Sequence, residues 1–522
     1  MNTIRTIALL ATVALIPGCG NESSGSDGAA ARSGQEIGHS DSADLVDPEA
    51  VSQQDLQRIV SSDRVRQFYE GRDWEPAWTP ENVGGLVQTL RNAGRHGLKP
   101  VEYIGPVEGA GNPAAREVAL TAAALDLGDA LGDGKADPTE LFSVYTIPRP
   151  ELDLIGGLSA AVADNNAGEW LESLAPPNAE YRALSEAYLR YAREAAEGAG
   201  QSIDSGDLIR EGDTDPRVPQ IAQVLRSNGY LKGGTGGDES NLYTPAISQA
   251  VERFQGDFGI AQDGIVGPST LEVLNTGAEE RSRILAVNLE RLRWLQRDRP
   301  ATRIDVNIAA AQLDYYRDGE LRDQRVVVVG QPGWETPQLG SPFYRFVANP
   351  TWTIPRSIQE EEIAPRGPGY LQRNNMIRRN GWIVQLPGPE NALGIVKFDL
   401  QNDHAIYLHD TPAKSLLDRN QRHLSHGCIR VENAPQFARM MAEDVGVLSE
   451  YREAQETGEE TSVDLPRNIP VRLLYHTAFL SPAGDIRFRT DAYGWDERVA
   501  EALGYEPRRS PTLQTHIQDL GP

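Results

Sequence analysis

The chain has 522 residues, room for about three domains, and its 39% hydrophobic and 24% charged content is ordinary for soluble globular protein. Its formal charge of −25 argues against a general phosphate-contact mode of binding, so no nucleic acid is expected as a partner. A charge of that size otherwise describes a solvated acidic surface and names no partner.

The first predicted element is a leader. Arg5 precedes an apolar run over residues 7–16, too short to span a membrane as a mature helix. Then follows Leu15-Ile16-Pro17-Gly18-Cys19. This resembles a bacterial lipoprotein signal, which implies cleavage after residue 18, a lipid on the Cys19 sulfur, export to the periplasm and attachment to a membrane. Gly20 after the anchor favours the outer one. The chain has two cysteines, so a lipidated Cys19 leaves Cys428 without a disulfide partner. A lone thiol in an oxidising compartment is a liability unless it is buried or used. Residues 19–50 are Ser, Gly, Ala and Asp with few apolar side chains. They read as a tether with an r.m.s. span of roughly 30 Å.

Residues 51–205 read as a helical scaffold. Val65, Phe68 and Tyr69 fall at helical spacing, as do Leu86, Leu90 and Ala93. A further helix over 116–131 stops at Gly132-Asp133-Gly134. Trp74 and Trp78 lie in a Pro-flanked loop and read as core-packing aromatics. Residues 210–277 form a small three-helix unit. Thr244-Pro245 is an N-cap and first helical position, and Ile247, Val251 and Phe254 make one stripe. The text from Gln262-Asp263-Gly264 through Gly267-Pro268-Ser269-Thr270-Leu271 resembles the common peptidoglycan-binding domain. A connecting helix is expected over 283–300.

After residue 302 the period changes to two. Ile304, Val306 and Ile308 alternate, Leu313 and Tyr315 alternate before the turn pair Asp318-Gly319, and 326–329 is a buried-strand run. A mainly-β domain is expected over 302–482. An insertion at about 357–382 covers its sheet, and strands resume at 383–386, 394–398 and 405–408. A last hairpin pairs 471–479 with 486–489. Residues 450–464 read as an acidic solvated loop. The stretch 483–522 reads as the end of the hairpin and a tail without chemistry.

Four of the eight histidines fall between residues 404 and 426, next to Cys428. A cysteine nucleophile needs thiolate character, a base within reach, and donors aimed at the developing oxyanion. Alternation puts Tyr407 and His409 on one face at a strand end. Gly427 lets the backbone approach a substrate, and the amides of Gly427 and Cys428 are candidate oxyanion donors. Arg430 would favour a thiolate and grip a carboxylate. Taken singly, each of these residues has a structural reading. A zinc site of His409, His426 and Cys428 completed by Asp410 or His423 is the competing arrangement.

His409, fifteen intervening residues, then Ser425-His426-Gly427-Cys428 resembles the signature of the L,D-transpeptidase catalytic domain (the YkuD type). The stretch 349–355 around Trp352, with Asn391-Ala392-Leu393-Gly394, is similar to the large multidomain Gram-negative branch, which joins a helical scaffold and a peptidoglycan-binding module to the catalytic domain. The resemblance implies a cysteine acyltransferase that needs no cofactor. Cys428 would be the nucleophile and His409 its base, with His426 and Gly427 also catalytic. Tyr407, Ser425, Arg430 and Trp352 would contact substrate. Donor and acceptor would be peptidoglycan stem peptides: a terminal D-alanine leaves, a thioester forms, and an amine resolves it into a 3→3 cross-link under a lid. The same acyl-enzyme resolved by water, or by a D-amino acid, remains an alternative, as do a zinc amidase and a non-catalytic wall-binding lipoprotein.

Overall fold

The computed structural model describes residues 45–198, 202–231, 240–367 and 369–507. The leader, Cys19, most of the tether and the final tail lie outside the described residues. Among the described residues no helix is long and apolar enough to cross a membrane.

The helical region is built around Pro113–Gly132. Asn112 caps this helix by accepting from the Ala115 amide, and Pro113 opens it. Leu120, Ala124, Leu127 and Leu131 are among the side chains it buries, so neighbouring helices cover it on more than one side. The small unit has its three helices at Val218–Ser227, Pro245–Phe258 and Pro268–Leu274. Gln255 ties its turn together. Its side-chain oxygen accepts from the amides of Asp263 and Gly264, and its Nε2 donates to the Ile265 carbonyl.

Helix Ala278–Arg293 joins these parts to the β domain. It buries charge as well as apolar surface, and buried charge must be paired. Arg293 pairs with Glu290, Arg291 with Asp496 at 2.5 Å, and Arg283 with Glu497 at 2.6 Å. Two of these carboxylates come from helix Trp495–Ala502. The region expected to be a featureless tail therefore begins with a docked helix. Its propensity is unremarkable; its place is set by tertiary pairing.

The β domain contributes β1 (Arg303–Asn307), β2 (Gln312–Arg317), β3 (Glu320–Gly330), β4 (Gly340–Ala348), β5 (Trp352–Thr353), β6 (Met376–Arg379), β7 (Trp382–Gln385), β8 (Val396–Leu400), β9 (Leu408–His409), β10 (His423–Ser425), β11 (Ile429–Val431), β12 (Thr461–Leu474), β13 (Ala478–Leu480) and β14 (Ile486–Phe488). Nine of them form one mixed sheet in the order β10-β3-β11-β9-β8-β4-β12-β1-β2, and the further pairing of β2 with β3 closes every strand but β10 into a ring. Asp318 and Gly319, with φ of 54° and 93°, make the two-residue turn expected between β2 and β3. Phe398 on β8 sits at the centre of the core, 5.7 Å from Phe346 and 5.6 Å from Phe437 between ring centroids.

Four expectations are corrected. Residues 383–386 do not resume the main sheet: β7 pairs with β5 and β6 in a separate three-stranded sheet. The cover is thus larger than the 357–382 insertion, running from Trp352 to Gln385 with its own core of Trp352, Ile354, Ile358, Ile363, Met376 and Ile383. Residues 450–464 are not a loop. Helix Leu448–Glu456 buries Tyr451 and Ala454 beneath its acidic face, and β12 follows. The strand placed at 405–408 is only Leu408–His409, because Ala405 has φ +55° and turns the chain. Finally, β12 stops at Leu474, and the hairpin proper is β13–β14.

Candidate active site

Register builds the site. On the parallel pair β9–β11, Ile429 faces Leu408 and Arg430 faces His409; on β8–β9, Phe398 faces Leu408 and Lys397 faces His409. Phe398, Leu408 and Ile429 point into the core. Alternation then turns Lys397, His409 and Arg430 to the opposite face. One residue back, the Ile429 amide donates to the Tyr407 carbonyl, which puts Tyr407 beside Cys428 on that same outer face. The cover rests there, with Tyr407 packed against its core.

Cys428 is 5% exposed and His409 0%. The thiol donates to the Ala405 carbonyl at 3.6 Å. Burial pushes the thiol up to about 11, against the pull of the Tyr407 backbone and hydroxyl and of the Lys397 and Arg430 charges. His409 is held well below the usual imidazole value by burial and by the Arg430 charge. Thiol and imidazole are therefore both neutral at rest, not the ion pair that a reactive cysteine suggests.

The tautomer of His409 follows from its partner. Nδ1 sits 2.5 Å from the Asp410 carbonyl, which can only accept, so Nδ1 carries the proton. Nε2 is left as a buried acceptor with no partner. Asp410 holds this geometry, since its carboxylate accepts from the Ile395 amide at 3.1 Å and pairs with Lys414.

The remaining expected residues divide. Tyr407 is brought to Cys428: burial and the cysteine raise its hydroxyl well above the ordinary value, and the Trp352 indole opposes them. Trp352 is thus at the site, but as part of the buried floor of the cover. Gly427 has φ +111°, a conformation that needs glycine. Its amide donates to Ser425 Oγ at 3.2 Å, so the expectation that it faces an oxyanion is not met. Ser425 is closed on its own loop, its hydroxyl donating to the Cys428 carbonyl at 2.6 Å, and it is fully buried rather than presented to substrate. Arg430 is 1% exposed and acts on the pair through its field. His426 has Nε2 2.7 Å from Glu362 of the cover and its ring edge-on to Trp334. Among the described residues no three His, Cys, Asp or Glu side chains gather as metal ligands would. Cys19 lies outside the described residues.

Sequence reasoning missed Lys397, Glu362 and the Ala405 carbonyl. The alternation of Lys397 with Phe398 was readable, but its pairing with His409 was not. Two clefts of about 1030 Å³ and about 1010 Å³ flank the three-helix unit, and Cys428 lines neither.

Comparison with known proteins agrees with this architecture. Residues 301–450 match the model of the L,D-transpeptidase catalytic domain, 63–188 that of the scaffold domain, and 214–274 that described as "Putative peptidoglycan binding domain". A "Putative L,D-transpeptidase" of Haemophilus influenzae is 32% identical over 240 residues, 41% of this chain. The match spans about half, 48%, of that relative's length. Solved structures that align include an L,D-transpeptidase of Stackebrandtia nassauensis, at 14% identity over 53% of this chain and 97% of that one with TM-score 0.22. An L,D-transpeptidase of Xylanimonas cellulosilytica aligns at 16% identity over 52% and 98% with TM-score 0.17. The chain thus carries an L,D-transpeptidase catalytic domain, accompanied by a scaffold domain and a peptidoglycan-binding module.

Proposed function

We propose that this chain is a periplasmic, lipid-anchored L,D-transpeptidase that forms 3→3 cross-links between peptidoglycan stem peptides through a Cys428 thioester. The observation that carries the reading is the His409 Nε2, buried and without a partner on the same strand face as the only thiol among the described residues. A buried acceptor left unbonded is costly, and a proton from Cys428 would satisfy it.

The thiol proton turns from the Ala405 carbonyl to Nε2 as sulfur attacks the carbonyl of the L-centre in the third stem residue. A C–S bond forms, the C–N bond to D-alanine breaks, and His409 passes the proton to the leaving amine. Imidazolium is disfavoured by burial and by Arg430, so the proton does not linger. The acceptor's side-chain amine then attacks the thioester, the C–S bond breaks, and a proton returns to sulfur. Tyr407, whose hydroxyl interacts with the thiol, is a donor for the developing oxyanion. Cys428 is almost out of water, which favours an amine over hydrolysis. L,D-carboxypeptidase action is the outcome if water reaches the thioester.

Tetrapeptide muropeptides incubated with the purified protein are expected to release D-alanine and yield 3→3 dimers, and Cys428→Ala to abolish both. Activity lost to a chelator but kept without the thiol overturns the reading. The anchor is tested by labelling cells with a fatty-acid probe: incorporation is expected, and Cys19→Ala is expected to end it.

A further inference from the structure

We propose that Lys397 is the group that receives the terminal carboxylate of the donor stem peptide, holding the leaving residue against Cys428. This assignment rests on the stem-peptide reading above.

Two rows of side chains stand on the outer face beneath the cover. Lys397, His409 and Arg430 make one row in register, and Asp399, Tyr407 and Cys428 make the next. Only two of these residues are cations, and they differ in access. Arg430 is sealed at 1% exposure, whereas the Lys397 side chain is 23% exposed. Its ammonium lies over the Tyr407 ring, 4.8 Å from the centroid, and the hydroxyl of that ring bonds the thiol. The cation is therefore about one aromatic ring from the reacting sulfur.

Its present partner is itself shared. Asp399 bonds Lys397 at 2.7 Å through one oxygen and Arg345 at 2.7 Å through the other. Two cations thus share one carboxylate. Arg345 also faces Asp464 across the β4–β12 pair, so Arg345 keeps a carboxylate partner whichever anion Lys397 holds. An incoming carboxylate can take Lys397 while Asp399 keeps Arg345.

The substrate's chemistry fits this position. Sulfur attacks the carbonyl of the bond that D-alanine leaves, and the carboxylate of D-alanine sits one carbon beyond the scissile nitrogen. Unopposed, that anion would repel a forming thiolate. An ammonium is a compact point charge with no planar geometry to satisfy, suited to an anion that must depart after one bond breaks.

The full chain carrying Cys428→Ala is used to bind two peptides by calorimetry: a tetrapeptide ending in a free carboxylate, and the same peptide ending in a carboxamide. The free acid is expected to bind about tenfold more tightly. Adding Lys397→Met should weaken the acid to the level of the amide and leave the amide unchanged, and Lys397→Arg should restore most of the preference. In protein that retains Cys428, Lys397→Met should raise KM for the free acid about tenfold, and Lys397→Arg should restore most of it. A Met variant that still prefers the acid, or that weakens both peptides equally, overturns the assignment, as does wild-type indifference to the end group. If the preference stands while D-alanine is never released, the subsite holds and the proposed reaction fails.

Discussion

Two buried polar clusters in this molecule are built on opposite terms. Along helix Ala278–Arg293, Arg283, Arg291 and Arg293 each meet a carboxylate. Arg281 instead lies over the rings of Tyr191 and Phe258, 5.5 and 5.6 Å from their centroids. On the outer face of the barrel, burial is as deep, but the groups around Cys428 are held differently. His409 Nε2 has no partner, the thiol is held in its protonated form, and two cations share Asp399. A buried polar group that is satisfied holds a fold together. One left unsatisfied, where its neighbours are rigid, is available for chemistry.

The sharpest way to break that contrast is to cross the two clusters. Cys428→Ala and His409→Ala should each cut D-alanine release by about a thousandfold or more, and the double variant should lose little beyond either alone. Their unfolding midpoints should stay within about 1 kcal/mol of the parent. Glu290→Gln should do the reverse. It leaves Arg293 charged and buried, and denaturant titration is expected to show a loss of about 3–5 kcal/mol, with turnover preserved in the folded fraction. A Glu290→Gln protein of unchanged stability would show that the helix is held by apolar contact alone.

The two clusters were unequally visible in the sequence. The one around Cys428 was legible because its residues are local. Tyr407, His409, Ser425, Gly427 and Cys428 fall in one short window, and alternation alone puts the first two on one face. What escaped depends on pairing between distant segments. Lys397 belongs to the site because β8 lies beside β9 in one particular register. Glu362 belongs because the cover folds back onto the catalytic loop. The charged helix was expected as a connector, but nothing local says that Asp496 and Glu497 would meet it. Helix Leu448–Glu456 was hidden for a related reason. It buries only Tyr451 and Ala454, and its acidic residues dominate the text.

Acid separates the clusters by sign. His409 is depressed by burial, His423 is lowered to about 4 and His476 to about 3, burial being the main cause in each. Their folded values lie below the unfolded value of about 6.5, so the unfolded chain binds protons that the folded chain refuses. Stability is intact above that pH and is lost as pH falls through the lowered values. Asp491, raised to about 6 by burial and by Asp496, works the other way: its folded form takes a proton first and gains as pH falls below 6. The depressed histidines each predict a loss that sets in as pH falls below 6.5 and Asp491 an opposing gain, both measurable as the slope of unfolding free energy with pH. His476→Gln should make that slope shallower by about 1.4 kcal/mol per pH unit between pH 6 and 4. An unchanged slope would mean that His476 is hydrated in solution.

The smallest expected effect lies where the cover borrows the logic of the paired cluster. Glu362 reaches from the cover to His426, two residues before Cys428, at 2.7 Å. That contact is partly exposed, so after solvent screening it holds the cover closed by on the order of 1 kcal/mol. Glu362→Ala should therefore raise the alkylation rate of Cys428 by a small uncharged thiol reagent about fivefold. The pH at which labelling accelerates should not move, because burial by the strand face rather than the cover's charge sets the thiol's proton affinity. A shifted pH profile would assign Glu362 an electrostatic role at the sulfur. An unchanged rate would mean that the cover is held by its apolar core on Tyr407, and that the bond to His426 only orients the loop.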